Sequence, residues 1–273
     1  MPQSNVLATH EWQPRTSAGA AAADAAAPVA VLVHGITGWW RTWWRVGPVL
    51  AERGWRVIGV DLRGHGTSPP IEGVATAEVL AADVAATVEA LDVGPVDALI
   101  GHSLGAAVAM ELAHRRPDIA RRLVLEDPPG QTRADDLEFQ AILERETLAA
   151  RRDPDGELRR ELAENSAWLP EDARQDVEGR AMCDLDGILA SLRANTGVRT
   201  VELAPVLGLP ALYLIADEDR SALGAARAQL IGSLPAEAEA VEFDSGHTIH
   251  RDRFDAYMTE VLRWLEPRRG HPR

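Results

Sequence analysis

The sequence predicts an α/β fold in which a mostly parallel sheet carries helices on both faces. Short apolar runs rich in β-branched residues alternate with amphipathic stretches of helix length between residues 29 and 125, a pattern typical of parallel strands joined by crossover helices. Glycine-containing loops follow several of the runs, as expected where a strand turns into a helix. The 273 residues suffice for one large domain or two small ones.

Six runs have the length and composition of buried strands. They are residues 29–33, 56–60, 96–100, 123–125, 211–215 and 240–243. The intervening helices are predicted at 42–53, 76–91, 104–115 and 257–265. Gly54 supplies a stop signal for the first helix and Thr76 a cap for the second.

The regular alternation stops between residues 130 and 200, where charged helix-forming residues dominate and no strand-like run occurs. We therefore predict a core domain built from residues 1–129 and 201–273, interrupted by a helical insertion over residues 130–200. The strand pattern resumes afterwards, so the insertion lies between two strands of one sheet.

Charge and composition exclude several classes of function. The chain has 28 basic and 42 acidic side chains, a net charge of −14, so a nucleic-acid partner is not expected. All the basic residues are arginine, which excludes lysine Schiff bases, lysine-anchored pyridoxal phosphate and the P-loop lysine. The single cysteine, Cys183, cannot form an internal disulfide or a cysteine metal site.

The amino-terminal region shows no pattern of a targeting segment. It lacks a positively charged stretch followed by an apolar core, and the alanine-rich residues 18–27 include Asp24 and end at Pro28. No run approaches the roughly 18 apolar residues needed to cross a bilayer. We expect a cytoplasmic protein that acts on a small molecule, with no membrane partner.

The most informative motif is GHSLG at residues 101–105, placed where an apolar strand ends and an apolar helix begins. A serine on so tight a turn needs glycines two residues before and after it, because a Cβ there would meet crowded backbone. Its hydroxyl then projects above the sheet, at the positive end of the following helix. This context favours Ser103 as a nucleophile over a simple glycine-flanked turn.

A nucleophilic serine needs a base, and position singles out His247 among eight histidines. His247 follows the last predicted strand, at the edge where the carboxyl ends of parallel strands gather functional groups. Other histidines have positions that indicate structural roles. His34 and His65 lie beside loop glycines, His102 lies inside the GHSLG motif, and His114 lies at a helix end. His250 has no acidic third ligand in a metal-binding pattern, so no metal site is predicted.

Two aspartates are candidates for the acid that orients His247. Asp219 follows the strand at 211–215 and Asp127 the strand at 123–125. The order Ser103, Asp219, His247 is that of hydrolases with this type of serine turn. Asp219 is preferred and Asp127 is the alternative. Asp217 is a weaker third choice. Asp219→Asn is accordingly expected to lower kcat more than Asp127→Asn.

The oxyanion of an acyl-transfer intermediate needs preorganised N–H donors. The backbone amide of Leu104 follows the nucleophile at a helix N-terminus, and that of Ile36 lies in the turn after the first predicted strand. A glycine-rich connection explains this turn equally well, so its assignment depends on Ser103 being the nucleophile.

Five motifs in order resemble the α/β-hydrolase superfamily over residues 28–267: HG at 34–35, DLRGHGTS at 61–68, GHSLG at 101–105, Asp219, and SGH at 245–247. The resemblance implies an eight-stranded, mostly parallel sheet with helices on both faces. It also implies that residues 6–14 form the opening strands and that a helical cap, residues 130–200, is inserted after the sixth strand. The implied chemistry is Ser-His-Asp acyl transfer without a cofactor. Ala216 departs from the glycine usual in relatives.

The tryptophans suggest an apolar or aromatic pocket. Trp39 and Trp40 follow the oxyanion turn and Trp168 belongs to the predicted cap, so these three are the candidate substrate-binding residues. For Trp43 and Trp44, packing of the helix against the sheet is at least as good an interpretation.

The sequence thus predicts a capped serine hydrolase that cleaves a carboxylic ester or lactone of a small apolar or aromatic substrate through an acyl-enzyme on Ser103. A C–C bond hydrolase of vinylogous diketones has the same residue set and is the leading alternative. A perhydrolase and a ligand-binding homologue with slow turnover are further alternatives.

Overall fold

The computed structural model describes residues 5–14, 27–130, 137–194 and 198–266. Its centre is a seven-stranded sheet of order β1-β3-β2-β4-β5-β6-β7. The strands are β1 Thr9–Trp12, β2 Val29–Val33, β3 Arg56–Val60, β4 Ala98–His102, β5 Leu123–Glu126, β6 Ala211–Ile215 and β7 Ala238–Glu242. All pairs are parallel except β1 with β3, so the predicted α/β class is confirmed.

The opening segment supplies one strand where two were predicted, so seven strands rather than eight occur among the described residues. The backbone N–H of Asn5 donates to Asp83 at 2.7 Å, and that of Leu7 donates to Thr87 at 2.9 Å. These groups bind helix side chains instead of a neighbouring strand, which removes the ladder a further strand would need.

The helices cover both faces of the sheet. They are α1 Val46–Glu52, α2 Ala77–Ala90, α3 Leu104–Arg115, α4 Leu137–Arg152, α5 Pro154–Glu164, α6 Pro170–Met182, α7 Leu185–Ala194, α8 Thr200–Leu203, α9 Arg227–Ser233, α10 Ile249–Asp252 and α11 Phe254–Leu265. The segment between β5 and β6 carries α4 to α8 and no strand in its described part. No described helix has the length and apolar character needed to cross a membrane.

Two apolar layers, one on each face, hold the sheet. Strand β2 is buried along its whole length, and its side chains alternate between the layers: Val31 and Val33 pack with α2 and α3, whereas Ala30 and Leu32 pack with α1 and α11. The period-two geometry of a strand produces this division. Because both faces of these strands are buried, their sequences are continuous apolar runs.

The boundaries of β4 differ from the prediction in a way that matters for the site. Residues 96–100 were predicted, but β4 is Ala98–His102, because Gly101 and His102 pair with Leu125 and Glu126 of β5. Val96 contributes only an isolated bridge to Ala120. The strand therefore runs up to the residue immediately before Ser103.

Candidate active site

Ser103 occupies a sharp turn between β4 and α3. Its φ of 52° and ψ of −119° lie outside the regions that serine ordinarily adopts. The surrounding hydrogen bonds hold this conformation: the Ser103 N–H donates to the carbonyl of Glu126 at 2.9 Å, and the Ser103 carbonyl accepts from Ala106 at 2.9 Å. Ser103 retains 8% exposure, on the wall of a cavity.

Gly101 and Gly105 make this turn possible. A Cβ on Gly105 would lie 2.1 Å from the carbonyl oxygen of Val33, and one on Gly101 would lie 2.3 Å from the carbonyl oxygen of Gly105. Both contacts involve backbone atoms that side-chain rotation cannot move. The spacing of glycines in the GHSLG motif is thus a packing requirement of this elbow.

His247 forms its side-chain hydrogen bond with Asp127, not Asp219. The distance from Nδ1 of His247 to Oδ2 of Asp127 is 2.6 Å, whereas Asp219 is exposed and its N–H donates to Asp217 at 3.2 Å. The preference for Asp219 was therefore wrong as to which carboxylate contacts His247. In the sheet order β6 lies between β5 and β7, the strand before His247, so strand order does not decide the partner. The reason lies in the loop after β6, which donates three hydrogen bonds to Asp127 and leaves Asp219 exposed.

Asp127 is fully buried and held by a dense set of donors. Oδ1 accepts from the Ser221 hydroxyl at 2.6 Å and from the Ala216 N–H at 3.2 Å, and Oδ2 accepts from the Ala222 N–H at 2.8 Å. These bonds satisfy a buried carboxylate and fix its direction toward His247. The loop after β6 therefore supplies donors to the acid instead of the acid itself.

The turn after β2 lies against the serine elbow. A Cβ on Gly35 would meet Nδ1 of His102 at 2.9 Å and Cβ of Ser103 at 3.2 Å, so the bare backbone allows the close approach. This turn carries the N–H of Ile36. Leu104 is the first residue of α3, where N–H groups have no acceptor within the helix. The two predicted oxyanion donors thus come from segments that flank Ser103.

His34 and His65 form hydrogen bonds that hold the turn after β2, as the sequence suggested. Nε2 of His34 accepts from the Leu62 N–H at 2.9 Å while Nδ1 donates to the Gly35 carbonyl at 2.8 Å. Nε2 of His65 accepts from the Thr37 N–H at 3.2 Å. Burial lowers the pKa of His34 to about 4 and that of His65 to about 3, so both are neutral at physiological pH.

Two further contacts hold the loop that carries His247. Nε2 of His102 donates to the backbone carbonyl of His247 at 3.2 Å. Glu126 accepts from the His250 N–H at 2.9 Å and contacts Nδ1 of His250 at 2.8 Å. Sequence reasoning missed Glu126, although its position next to Asp127 at the end of a strand was an available signal. Within the described ranges, no group of three or more potential metal ligands occurs.

The buried pair Glu126 and His250 carries perturbed pKa values. Burial raises the pKa of Glu126 to about 7 and lowers that of His250 to about 3, because both groups lose the hydration that stabilises their charged forms. The pKa of His102 is also lowered well below its ordinary value by burial.

These shifts predict that mild acid destabilises the protein. His34, His65 and His250 have lower pKa values in the folded protein than in the unfolded chain. Below about pH 6.5 these histidines therefore bind protons in the unfolded chain but not in the folded protein. The free energy of unfolding falls as the pH falls, because proton binding stabilises the unfolded state. Glu126 acts oppositely, because its folded pKa is raised and its protonated form becomes favourable as the pH falls through about 7.

Between pH 7.5 and 5.5 we expect His34, His65 and His250 to remove about 4 kcal/mol of unfolding free energy, His102 to add to that loss, and Glu126 to restore about 2 kcal/mol. Urea unfolding at the two pH values measures the net loss, about 2 kcal/mol or more. In Glu126→Gln the compensating proton is absent, so the loss should be about 4 kcal/mol or more. Stability that is unchanged or higher at pH 5.5 would contradict the assignment of neutral buried histidines.

The cavity around Ser103 opens to solvent, and its walls are more polar than predicted. Its lining includes His247, Thr42, Trp168, Asp176, Arg180 and Arg251. Trp168 is the one predicted pocket tryptophan among these lining residues.

The two other predicted pocket tryptophans contact different groups. Nε1 of Trp39 donates to the Gln175 carbonyl at 2.9 Å, which links the segment after β2 to α6. Trp40 stacks on His10 with ring centroids 3.7 Å apart, close to β1. Trp43 is fully buried in the layer with α1, in agreement with the packing interpretation.

Comparisons of the chain with known proteins identify its family. A family model for the alpha/beta hydrolase fold matches residues 28–254. An sn-1-specific diacylglycerol lipase, ABHD11, of Mus musculus is 38% identical over 112 residues, which are 40% of this chain and 36% of the mouse protein. The match thus spans little more than a third of that relative.

Two further relatives match over most of the chain and are also hydrolases by name. The protein of the same name from Danio rerio is 26% identical over 258 residues, covering 87% of this chain and 78% of the fish protein. The crystal structure of the enol-lactonase from Burkholderia xenovorans LB400 has a TM-score of 0.70 at 23% identity and covers 96% of each chain, which shows a common fold. On the strength of the family match and this sheet topology, the chain belongs to the alpha/beta hydrolase family.

Proposed function

We propose that this protein is a serine hydrolase that cleaves a carboxylic ester or lactone of a small molecule through an acyl-enzyme on Ser103. The observation that carries the proposal is the 2.6 Å contact between Asp127 and His247, with His247 and Ser103 on the wall of one cavity. Acyl transfer requires a serine nucleophile, an imidazole base and a carboxylate that is hydrogen-bonded to the imidazole.

In the first half of the reaction, Oγ of Ser103 attacks the substrate carbonyl carbon while Nε2 of His247 takes the hydroxyl proton. The carbonyl oxygen becomes an oxyanion that accepts hydrogen bonds from the N–H groups of Ile36 and Leu104. Collapse of this intermediate breaks the bond to the leaving oxygen, which receives the proton from His247. Asp127 remains ionised throughout and stabilises the imidazolium.

In the second half, His247 takes a proton from water, whose oxygen attacks the acyl carbon of the ester on Ser103. The second tetrahedral intermediate collapses to the free acid, and the proton returns to Oγ of Ser103. Both halves use side chains and backbone groups of this chain alone. The mouse and fish relatives are named sn-1-specific diacylglycerol lipases, which supports this class of reaction.

Covalent trapping together with turnover tests the proposal. The purified protein is assayed with p-nitrophenyl butyrate and with a simple lactone, then treated with a fluorophosphonate and digested for peptide mass spectrometry. We expect hydrolysis and a single phosphonyl adduct on Ser103. The absence of both hydrolysis and adduct, or an adduct on another serine that abolishes turnover, would overturn the proposal.

A further inference from the structure

The backbone that carries His247 is held by hydrogen bonds on both sides of this residue. The carbonyl of His247 accepts from Nε2 of His102 at 3.2 Å. The N–H of Gly246, the residue before it, donates to Oδ2 of Asp252 at 2.6 Å. Asp252 is the last residue of α10, the short helix that follows His247. A side chain located after the base in sequence therefore holds the backbone before the base.

Asp252 has a second partner in a different part of the protein. Its Oδ1 accepts from Nε1 of Trp168 at 2.8 Å. Trp168 lies between α5 and α6, in the helical segment between β5 and β6, and it lines the cavity that contains Ser103 and His247. One carboxylate thus connects a side chain of the cavity wall with the backbone that carries the base.

The two N–H donors fix the direction of this carboxylate. Each oxygen accepts one hydrogen bond, so rotation of the carboxylate out of its plane would lengthen both bonds at once. Gly246 has no side chain, and a Cβ at this position would lie 2.6 Å from Oδ2 of Asp252. An alanine here would displace the carboxylate from the N–H, which gives the glycine of the SGH motif a physical role.

Helix α10 also contacts the face of the Trp168 indole. The guanidinium of Arg251, the residue before Asp252, lies 4.5 Å from the ring centroid of Trp168. Arg251 in turn pairs with Asp176 of α6 at 2.6 Å. Two successive residues of α10 therefore hold the indole at its N–H edge and at its face, and the same helix holds the loop of His247.

The proposed reaction depends on the exact position of this loop. A general base acts only when its nitrogen lies within hydrogen-bond reach of the proton that it takes, and small displacements of a reacting group lower the rate steeply. Asp252 is not one of the described residues that line the cavity. It would therefore affect the reaction through His247 and not through contact with the substrate.

We propose that Asp252 is a positioning residue for the general base: its carboxylate holds the backbone beside His247 and takes its direction from the N–H of Trp168, so that the cavity wall and the base are coupled. This inference rests on the proposed serine hydrolase function and adds a residue to the support of its base.

Asp252→Asn tests the need for two acceptor oxygens. An asparagine has the same shape but only one acceptor oxygen, so the N–H groups of Gly246 and Trp168 would compete for it. Since hydrogen bonds to a charged acceptor are strong, we expect kcat for p-nitrophenyl butyrate to fall by about tenfold or more, with KM changed by less than about threefold. Asp244→Asn is the matched control from the same loop, because Asp244 is 81% exposed, and it should retain full kcat.

Trp168→Phe keeps an aromatic ring but removes the N–H donor. Alone, it should lower kcat by about threefold, because Oδ1 of Asp252 loses the group that directs it. Added to Asp252→Asn, it should raise kcat by about threefold or more over Asp252→Asn alone, because the amide oxygen no longer has to serve two donors and can accept from Gly246. Two residues with separate structural roles would instead show losses that add.

Trp44→Phe is the matched control for the tryptophan. Nε1 of Trp44 also donates to a carboxylate at 2.8 Å, that of Asp172 in α6. Asp172 does not bond to the loop of His247; its other oxygen accepts from the Leu169 N–H at 2.9 Å. Trp44→Phe should therefore leave kcat within about twofold of the unaltered protein, although it removes a bond of the same kind and length.

Thermal unfolding checks the folding of each variant, and the rate at which the fluorophosphonate labels Ser103 is a second measure of the base. More than half of the original kcat in folded Asp252→Asn, a change confined to KM, or additive losses in the double variant would overturn the inference. If Asp252→Asn does not fold, equal effects of Trp168→Phe and Trp44→Phe would overturn it.

The labelling rate also separates this inference from the proposed function. If Ser103 is labelled but no ester is cleaved, the labelling rates of the same variants replace kcat, and equal rates in Asp252→Asn and the unaltered protein would overturn the role of Asp252 alone. If Ser103 is not labelled and no ester is cleaved, the proposed function fails and the role of Asp252 fails with it.

Discussion

Replacing Ser103 by alanine is expected to lower kcat for ester hydrolysis by roughly 10⁶-fold, the loss typical of a removed serine nucleophile. Oγ of Ser103 supplies the only bond between enzyme and acyl group in the proposed mechanism, and water does not replace it. The substitution removes one atom from a residue that is 8% exposed and leaves the elbow glycines in place. The unfolding free energy should therefore change by less than about 1 kcal/mol.

The measurement compares kcat for p-nitrophenyl butyrate, with circular dichroism and thermal unfolding as checks of folding. Ser233→Ala, at the end of α9, is the control for a serine remote from the site and should retain full activity. A folded Ser103→Ala protein that retains more than about one hundredth of the activity would contradict the acyl-enzyme mechanism.

Asp127→Asn should lower kcat by about 10⁴-fold, whereas Asp219→Asn should change kcat by less than about twofold. An asparagine at position 127 would present an amide in place of the carboxylate that accepts from Nδ1 of His247 at 2.6 Å. The imidazole then adopts the wrong tautomer and its protonated form loses its counter-charge. Asp219 makes no such contact with His247, and its exposed carboxylate is solvated.

Steady-state kinetics at pH 8 for both variants distinguish the two aspartates. Asp127→Asn also disturbs the bonds from Ser221 and Ala222, so unfolding by urea must accompany the kinetics. A larger loss of kcat in Asp219→Asn than in a folded Asp127→Asn would restore Asp219 as the acid. Equal, small losses would show that neither carboxylate orients the base.

Local sequence patterns were good guides where a single element decides the outcome. The strands β2, β3 and β6 occupy the predicted residues because each is a short apolar run buried on both faces. Helix α2 begins after Thr76, whose hydroxyl accepts from the Val79 N–H at 3.4 Å as a cap should. The first and last residues of β4 could not be predicted from its own sequence, because pairing with β5 determines them.

The sequence by itself determined the α/β class, the glycine-flanked turn at Ser103 and the loop that carries His247, because apolar periodicity and glycine spacing within a few residues mark each of them. The tertiary structure alone decided the partner of His247 and the polarity of the cavity. Asp127 contacts His247 because the loop after β6 donates to the Asp127 carboxylate at the end of β5 and fixes its direction, and local periodicity does not record contacts between segments about 90 residues apart. Arg251 of α10 and Asp176 of α6 form an ion pair between residues 75 positions apart, a contact that only the folded chain brings about.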